Sequence, residues 1–364
     1  MGQTGANMNR SAARPIRVLV VDDSAIVRRI LSAAISRYPD LEVVGSASDP
    51  YIARDKILEL RPDVITLDIE MPRMDGLTFL KKLMRYNPLP VIVISSLGQA
   101  SAASALEAIA LGAVEVFAKP NGSFSVGDLA TILPDRIRAA AQSKRIAPPL
   151  SLAAPNRKRS TNAEVIAIGA STGGTEAIER ILLQMPEDCP PILIAQHIPP
   201  VFSAAFANRL NRLAKISVIE ARDGERVLPG QALIAPGNFH MLLRRSAEGL
   251  HVTVKDGPLV GYQRPSVDVL FKSIAETCKN MSVSALLTGM GCDGAQGLFK
   301  LRQAGARTIA QDEATSVVYG MPREAARLGA AEDILALDEI ANALLTAHCG
   351  ASRRAPILEI QSNG

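Results

Sequence analysis

Val165-Ile166-Ala167-Ile168-Gly169-Ala170-Ser171-Thr172-Gly173-Gly174 decides the fold of this 364-residue chain. A short apolar, β-branched run ends in small residues and then gives way to Glu176–Leu183, whose apolar positions recur at helical spacing. That order reads as strand, tight turn, helix. Such a turn does one of two things. It cradles a phosphate against the helix N-terminus, or it lifts a hydroxyl clear of the sheet as a nucleophile. The glycines do not fall in G-x-G-x-x-G order and no lysine follows them, so neither nucleotide fingerprint is present. The turn alone leaves both readings open.

Working outward, strand signals recur on both sides. Downstream they fall at Ile192–Ala195, Ser217–Glu220, Ala232–Ala235, Ala285–Thr288 and Thr308–Gln311. A hairpin is expected where Met241–Arg244 and Leu250–Val254 flank Ser246-Ala247-Glu248-Gly249. Upstream, Val18–Val21, Leu41–Ala47, Val64–Leu67, Pro90–Ile94 and Val114–Phe117 alternate with helical stretches. Both halves therefore predict doubly wound parallel α/β sheets, the first with five strand–helix units. The expected domains are 15–138 and 163–349. Between them, 139–162 carries Pro148, Pro149, Pro155 and five basic residues with no acidic one, which reads as a basic, proline-containing linker.

Bulk properties exclude several classes. The hydrophobic share of 48% supports real cores, and the net charge of +4 is too small for this length to argue for nucleic acid. No apolar run approaches the ~18 residues that span a bilayer, and no signal-peptide core opens the chain. Cys189, Cys278, Cys292 and Cys349 form no C-x-x-C pair, which predicts neither a disulfide framework nor a zinc knuckle. A cytoplasmic protein that does not insert into membranes is expected.

Asp22, Asp23 and Asp68 fall at C-terminal ends of predicted strands, where an open parallel sheet forms its ligand crevice. One such aspartate reads first as a helix cap. Three that converge repel one another unless a cation sits among them, and hard oxygen ligands suit Mg²⁺. Lys119 and Ser95, also just past strand ends, would meet an added anion. Here the chain resembles the response-regulator receiver domain, through Asp22-Asp23-Ser24, Leu67-Asp68-Ile69-Glu70-Met71-Pro72-Arg73-Met74-Asp75-Gly76, Ser95-Ser96 and Lys119-Pro120. The resemblance implies the flavodoxin-like (βα)5 fold and phosphorylation of Asp68 by a chemotaxis histidine kinase. It implies Mg²⁺ held directly by Asp23 and Asp68 and through water by Asp22, with phosphoryl oxygens met by Ser95 and Lys119.

A nucleophilic Ser171 needs a base and an orienter. Of the four histidines, His197 follows Ile192-Leu193-Ile194-Ala195-Gln196, which puts it on the same sheet edge as Ser171. Asp293 lies in Gly289-Met290-Gly291-Cys292-Asp293-Gly294, another strand-end turn. Taken alone, Asp293 reads equally as the cap of the helix Gly294–Ala304. Together the three tilt Ser171 toward nucleophile, with glycines that let backbone N–H groups approach a developing oxyanion.

These segments are similar to the catalytic domain of the chemotaxis methylesterases, the CheB family. The likeness is carried by Ile168-Gly169-Ala170-Ser171-Thr172-Gly173-Gly174-Thr175, Gln196-His197-Ile198-Pro199-Pro200 and Leu287-Thr288-Gly289-Met290-Gly291-Cys292-Asp293-Gly294. Arg264-Pro265-Ser266-Val267-Asp268-Val269-Leu270-Phe271 and the stretch from Ala310 to Pro322 match as well. The resemblance makes Ser171 the nucleophile, His197 the acid–base, Asp293 its orienter and the Met290 N–H the oxyanion donor. It implies hydrolysis of glutamate γ-methyl esters on chemoreceptors and deamidation of receptor glutamines, without a metal for the ester step. Cys292 departs from the family's usual Asn, and the receptor-docking pentapeptide of some members is not apparent in the linker. The rival from another class is a receiver with a non-catalytic phosphate- or nucleotide-binding output domain.

Overall fold

The structure, a computed structural model, describes residues 14–96, 98–119, 126–143 and 161–349. Contacts divide the chain into two compact units with the boundary between Ser143 and Lys144.

The first unit runs β1 Ile16–Val21, α1 Ala25–Ile35, β2 Leu41–Ala47, α2 Pro50–Leu60, β3 Val64–Asp68, α3 Gly76–Tyr86, β4 Val91–Ser95, α4 Gln99–Ala110, β5 Glu115–Ala118 and α5 Val126–Gln142. Its five strands lie in the order β2-β1-β3-β4-β5, all parallel. β3 and β4 are buried along their whole length, which is why their sequences run apolar instead of alternating. Val18, Val20, Ile92 and Ile94 from the sheet pack with Leu31 and Ile35 of α1 and Leu133 and Ile137 of α5. On α1 Ile26 is exposed, Val27 packs half-buried against this core, and Leu31, Ala34 and Ile35 are buried. Helix starts are set by side chains: Ser24 caps α1, Asp49 caps α2 and Asp75 caps α3.

The second unit runs β6 Val165–Ala170, α6 Gly174–Leu182, β7 Ile192–Gln196, α7 Phe202–Leu213, β8 Ser217–Glu220, β9 Gln231–Ile234, β10 His240–Ser246, β11 Gly249–Lys255, α8 Val267–Thr277, β12 Ser282–Leu286, α9 Ala295–Gln303, β13 Arg307–Gln311, α10 Met321–Arg327, β14 Asp333–Leu335 and α11 Leu337–Thr346. Seven strands form one sheet in the order β14-β13-β12-β6-β7-β9-β8, every pair parallel. The expected hairpin is there, but β10 and β11 form a separate antiparallel pair outside the main sheet. Two strand assignments change. The strand expected at Ala285–Thr288 is Ser282–Leu286, because Thr288 turns its N–H to Gln311 Oε1 and its hydroxyl to Thr172 O. β14 was not expected: it has three residues, too short for a periodic pattern to show.

The segment expected as linker is used at both ends. Ala139–Gln142 complete α5, whereas the Thr161 N–H already donates to Leu345 O at 2.9 Å, and Asn162 exchanges two hydrogen bonds with Cys349. The rest of the expected linker, 144–160, lies outside the described residues. Among the described residues no helix is long and apolar enough to cross a membrane.

Candidate active site

The strand order of the second unit reverses at β6. From it the chain winds outward to β7 on one side, and β12 returns to its other flank. In open α/β sheets ligands bind at such a reversal, outside the carboxyl ends of the strands. Ser171 follows the last residue of β6 and His197 the last residue of β7, where Ala170 and Gln196 are register partners. Asp293 comes from the loop after β12, the other neighbour of β6. Three adjacent strands thus deliver the three residues singled out in the sequence, and all three are buried.

Backbone bonds fix this edge. The Ser171 N–H donates to Thr288 O at 3.0 Å, and the His197 N–H donates to Ala170 O at 3.1 Å. Gln196 Nε2 donates to both Ser171 O (2.9 Å) and His197 O (3.0 Å), so one buried amide ties the serine turn to the histidine turn. Behind them, Thr288 Oγ1 donates to Thr172 O at 3.0 Å and the Thr288 N–H donates to Gln311 Oε1 at 2.8 Å. Two glycines are required by space. A Cβ on Gly289 would lie 2.6 Å from the Ser171 Cβ, and one on Gly174 would lie 2.2 Å from Gln196 Oε1. Gly173 also has φ +78°, a conformation side chains disfavour. The Gly289 N–H and carbonyl are tied to Val318, Gly320 and Met321. The Met290 N–H, the expected oxyanion donor, takes part in none of those bonds.

His197 Nε2 lies 2.8 Å from Asp293 Oδ2. The other ring nitrogen, Nδ1, is buried and has no hydrogen-bond partner among the described residues. In the familiar serine-protease arrangement Nδ1 faces the aspartate and Nε2 the serine; here the ring is used the other way round. Nδ1 is accordingly the ring nitrogen not committed to Asp293.

Asp293 does not cap its own helix, one of the two expectations for it. The N-cap of α9 is Gly294, with φ +88° and no side-chain cap. Instead Asp293 reaches the N-terminus of α8. Its Oδ1 accepts from Ser266 Oγ (2.8 Å) and the Asp268 N–H (3.1 Å), and its Oδ2 from the Val267 N–H (2.7 Å) as well as from His197. Asp268 in turn accepts from the Gly297 N–H of α9 at 2.7 Å, so α8 and α9 cap each other reciprocally. Burial pushes the Asp293 carboxyl up, but the His197 hydrogen bond and charge, with the bonds from Ser266 and Val267, outweigh it and hold it below the ordinary carboxylate value. The carboxylate is thereby kept in its ionised form.

Ser266, Gln196, Gln311 and Asp268 received no role from the sequence. Ser266 left the clearest trace, a Ser directly before an apolar helical run, which is an N-cap signature. Gln196 and Gln311 had none, since each acts on chain distant in sequence.

In the first unit, Asp22, Asp23 and Asp68 each offer a carboxylate oxygen within 4.8 Å of the others. Lys119 Nζ lies 2.7 Å from Asp68 Oδ2 and 3.1 Å from Asp22 Oδ2. Burial, with the Asp22 charge acting in the same direction, raises Asp68 to about 6 despite the Lys119 hydrogen bond. Burial likewise raises Asp22 against the pull of Lys119. Ser95 ends β4, the strand beside Asp68, and its buried Oγ has no hydrogen-bond partner among the described residues. All donors of the acidic cluster are oxygens and their spacing fits one hard divalent cation.

A parallel sheet of order β2-β1-β3-β4-β5 with an acidic crevice and a facing lysine defines the first unit as a receiver; the second is an α/β domain of another winding with a serine turn at its reversal point. Comparison with known proteins agrees. The response regulator receiver domain matches residues 18–128 and the CheB methylesterase domain matches 166–344. The protein-glutamate methylesterase/protein-glutamine glutaminase 2 of Syntrophus aciditrophicus is 55% identical over 337 residues, covering 91% of this chain and 98% of that one. The protein-glutamate methylesterase/protein-glutamine glutaminase 4 of Anaeromyxobacter dehalogenans is 53% identical over 337 residues, covering 91% and 95%. Number 2 of Pseudomonas aeruginosa is 51% identical over 341 residues, covering 91% and 96%. The chain belongs to the CheB methylesterase family.

Proposed function

We propose that this chain hydrolyses glutamate γ-methyl esters on chemoreceptors, and deamidates receptor glutamines, as a serine hydrolase switched on by phosphorylation of Asp68. The observation that carries the hydrolase chemistry is the 2.8 Å His197–Asp293 contact at the strand ends flanking Ser171. Ser171 Oγ attacks the ester carbonyl while His197 Nδ1 takes its proton, and Asp293, held ionised at the start of α8, stabilises the imidazolium through Nε2. The Met290 N–H receives the charge developing on the carbonyl oxygen. His197 returns the proton to the leaving methoxide, and methanol departs. It then activates the water that frees the glutamate carboxylate. With a glutamine substrate the same steps release ammonia.

In the receiver, Asp68 accepts a phosphoryl group from a chemotaxis histidine kinase. Asp22, Asp23 and Asp68 fit Mg²⁺, which when bound offsets negative charge around the phosphoryl oxygens. Lys119, already against Asp68, pairs with the added group, and Ser95 supplies an uncommitted hydroxyl to it.

Methanol release from methylated receptor membranes tests the reading. Ser171→Ala is expected to lower the rate at least about 1,000-fold. Parent-like activity in that variant would remove Ser171 as nucleophile and favour a non-catalytic output domain.

A further inference from the structure

His240 is a buried histidine that the chemistry above does not use. It opens β10, and both ring nitrogens are engaged. Nε2 lies 2.9 Å from Pro258 O, and Nδ1 lies 3.3 Å from the backbone N of Ser266. A carbonyl only accepts and a backbone N–H only donates, so these partners require the neutral tautomer with hydrogen on Nε2 and a lone pair on Nδ1. The residue held by that lone pair is the one whose hydroxyl donates to Asp293 Oδ1 at 2.8 Å. Asp293 then meets His197 through its other oxygen. The relay is continuous: Pro258 O, His240, Ser266, Asp293, His197.

Among the described residues no other hydrogen bond ties Ser266 itself to the hairpin. Its Oγ also accepts from the Val269 N–H of α8 at 3.4 Å, a long bond. The chain before it is fastened to the same hairpin entrance: the Asn238 N–H donates to Arg264 O at 3.0 Å, and Arg264 Nη2 donates to Asn238 Oδ1 at 2.7 Å. The β10 entrance therefore holds the start of α8 by backbone bonds, and His240 sets the last residue before the helix.

Accepting the Ser171–His197–Asp293 reading, on which this rests, we infer that His240 is a positioning residue for the triad: its Nδ1 takes the Ser266 N–H and so aims the hydroxyl that orients the Asp293 carboxylate. A carboxylate that swings off the His197 ring lets the imidazole turn away from Ser171, and displacements of about 1 Å at such a site cost on the order of 100-fold in rate. The loss falls on turnover, because His240 and Ser266 act only through Asp293.

Two substitutions separate this role from simple packing. In His240→Asn a side-chain oxygen falls near the Nδ1 position and can still accept; in His240→Gln a donor falls near Nε2 and the Nδ1 acceptor is lost. Full-length protein is assayed for methanol release, with thermal unfolding measured alongside. His240→Gln is expected to lower kcat by about 10-fold to 100-fold with KM little changed, and His240→Asn to recover most of that loss. Equal kcat in the two variants, whether high or low, overturns the inference. Should His240→Gln not fold, Ser266→Ala removes the hydroxyl that links His240 to Asp293, and with it the α8 cap, and is expected to show the same kcat loss; parent-like kcat there overturns it too. Ser171→Ala, run in parallel, distinguishes the failures: its retained activity sinks the nucleophile, whereas an inactive Ser171→Ala beside a parent-like His240→Gln sinks only the role of His240.

Discussion

Asp68 is held in a costly state. Its carboxyl is raised to about 6, chiefly by burial, so the folded protein keeps a proton that the unfolded chain has already released. Between the ordinary carboxylate value and pH 6 the native state binds more protons, and stability therefore falls as pH rises through that window. Asp68→Asn removes the penalty. At pH 7.5 the variant is expected to unfold about 1–2 kcal/mol later than the parent, with the gap closing as pH drops toward 4; urea titrations at both pH values measure it. The substitution removes the buried charge while keeping the side chain's size, and no gain at pH 7.5 would mean that burial costs the Asp68 carboxylate less than its raised value implies. Gly289 stands at the same scale. A methyl there meets the Ser171 Cβ at 2.6 Å and Met321 Sδ at 2.4 Å. Gly289→Ala is therefore expected to cut methanol release about 100-fold while KM for the receptor holds.

Among elements, the reciprocal caps of α8 and α9 matter most. Each helix ends its orphan N–H groups on an aspartate of the other: Asp293 on α8, Asp268 on α9. The site carboxylate is thus also a structural clamp, so helix packing and triad geometry are one arrangement. Asp268→Ala leaves the Gly297 N–H without its acceptor and is expected to cost about 1–2 kcal/mol in unfolding free energy, with a smaller loss of kcat than any triad substitution. Unfolding and turnover measured on the same preparation check it; a stability loss without any kcat change would separate the clamp from the site. The sequence showed α9, expected from Gly294 and observed from Ala295; α8 was not read as a helix, although Ser266 before an apolar run is a local N-cap signal. It did not show that the acid before one helix serves the other, because that depends on two helices meeting side by side.

For the whole molecule, a receiver and a hydrolase domain on one chain couple a phosphoryl group to an ester bond. Acetyl phosphate with Mg²⁺ is expected to raise methanol release by full-length protein several-fold, and Asp68→Asn to lose the increment; activation surviving in Asp68→Asn would place the phosphoryl acceptor elsewhere. The placement of the candidate residues at strand ends was legible from residue order: Asp22-Asp23, Asp68, Ser95 and Lys119 in one sheet, Ser171, His197 and Asp293 in the other. Strand ends are local, and the parallel α/β pattern sends them all to one edge. Only the tertiary structure decided the rest. It placed β12, β6 and β7 side by side, kept the hairpin out of the main sheet and added β14 at the edge. It turned His197 so that Nε2 meets the aspartate and gave Asp293 to α8. Each of these depends on groups far apart in sequence settling their hydrogen bonds against one another, and a linear pattern carries no record of which buried donor finds which acceptor.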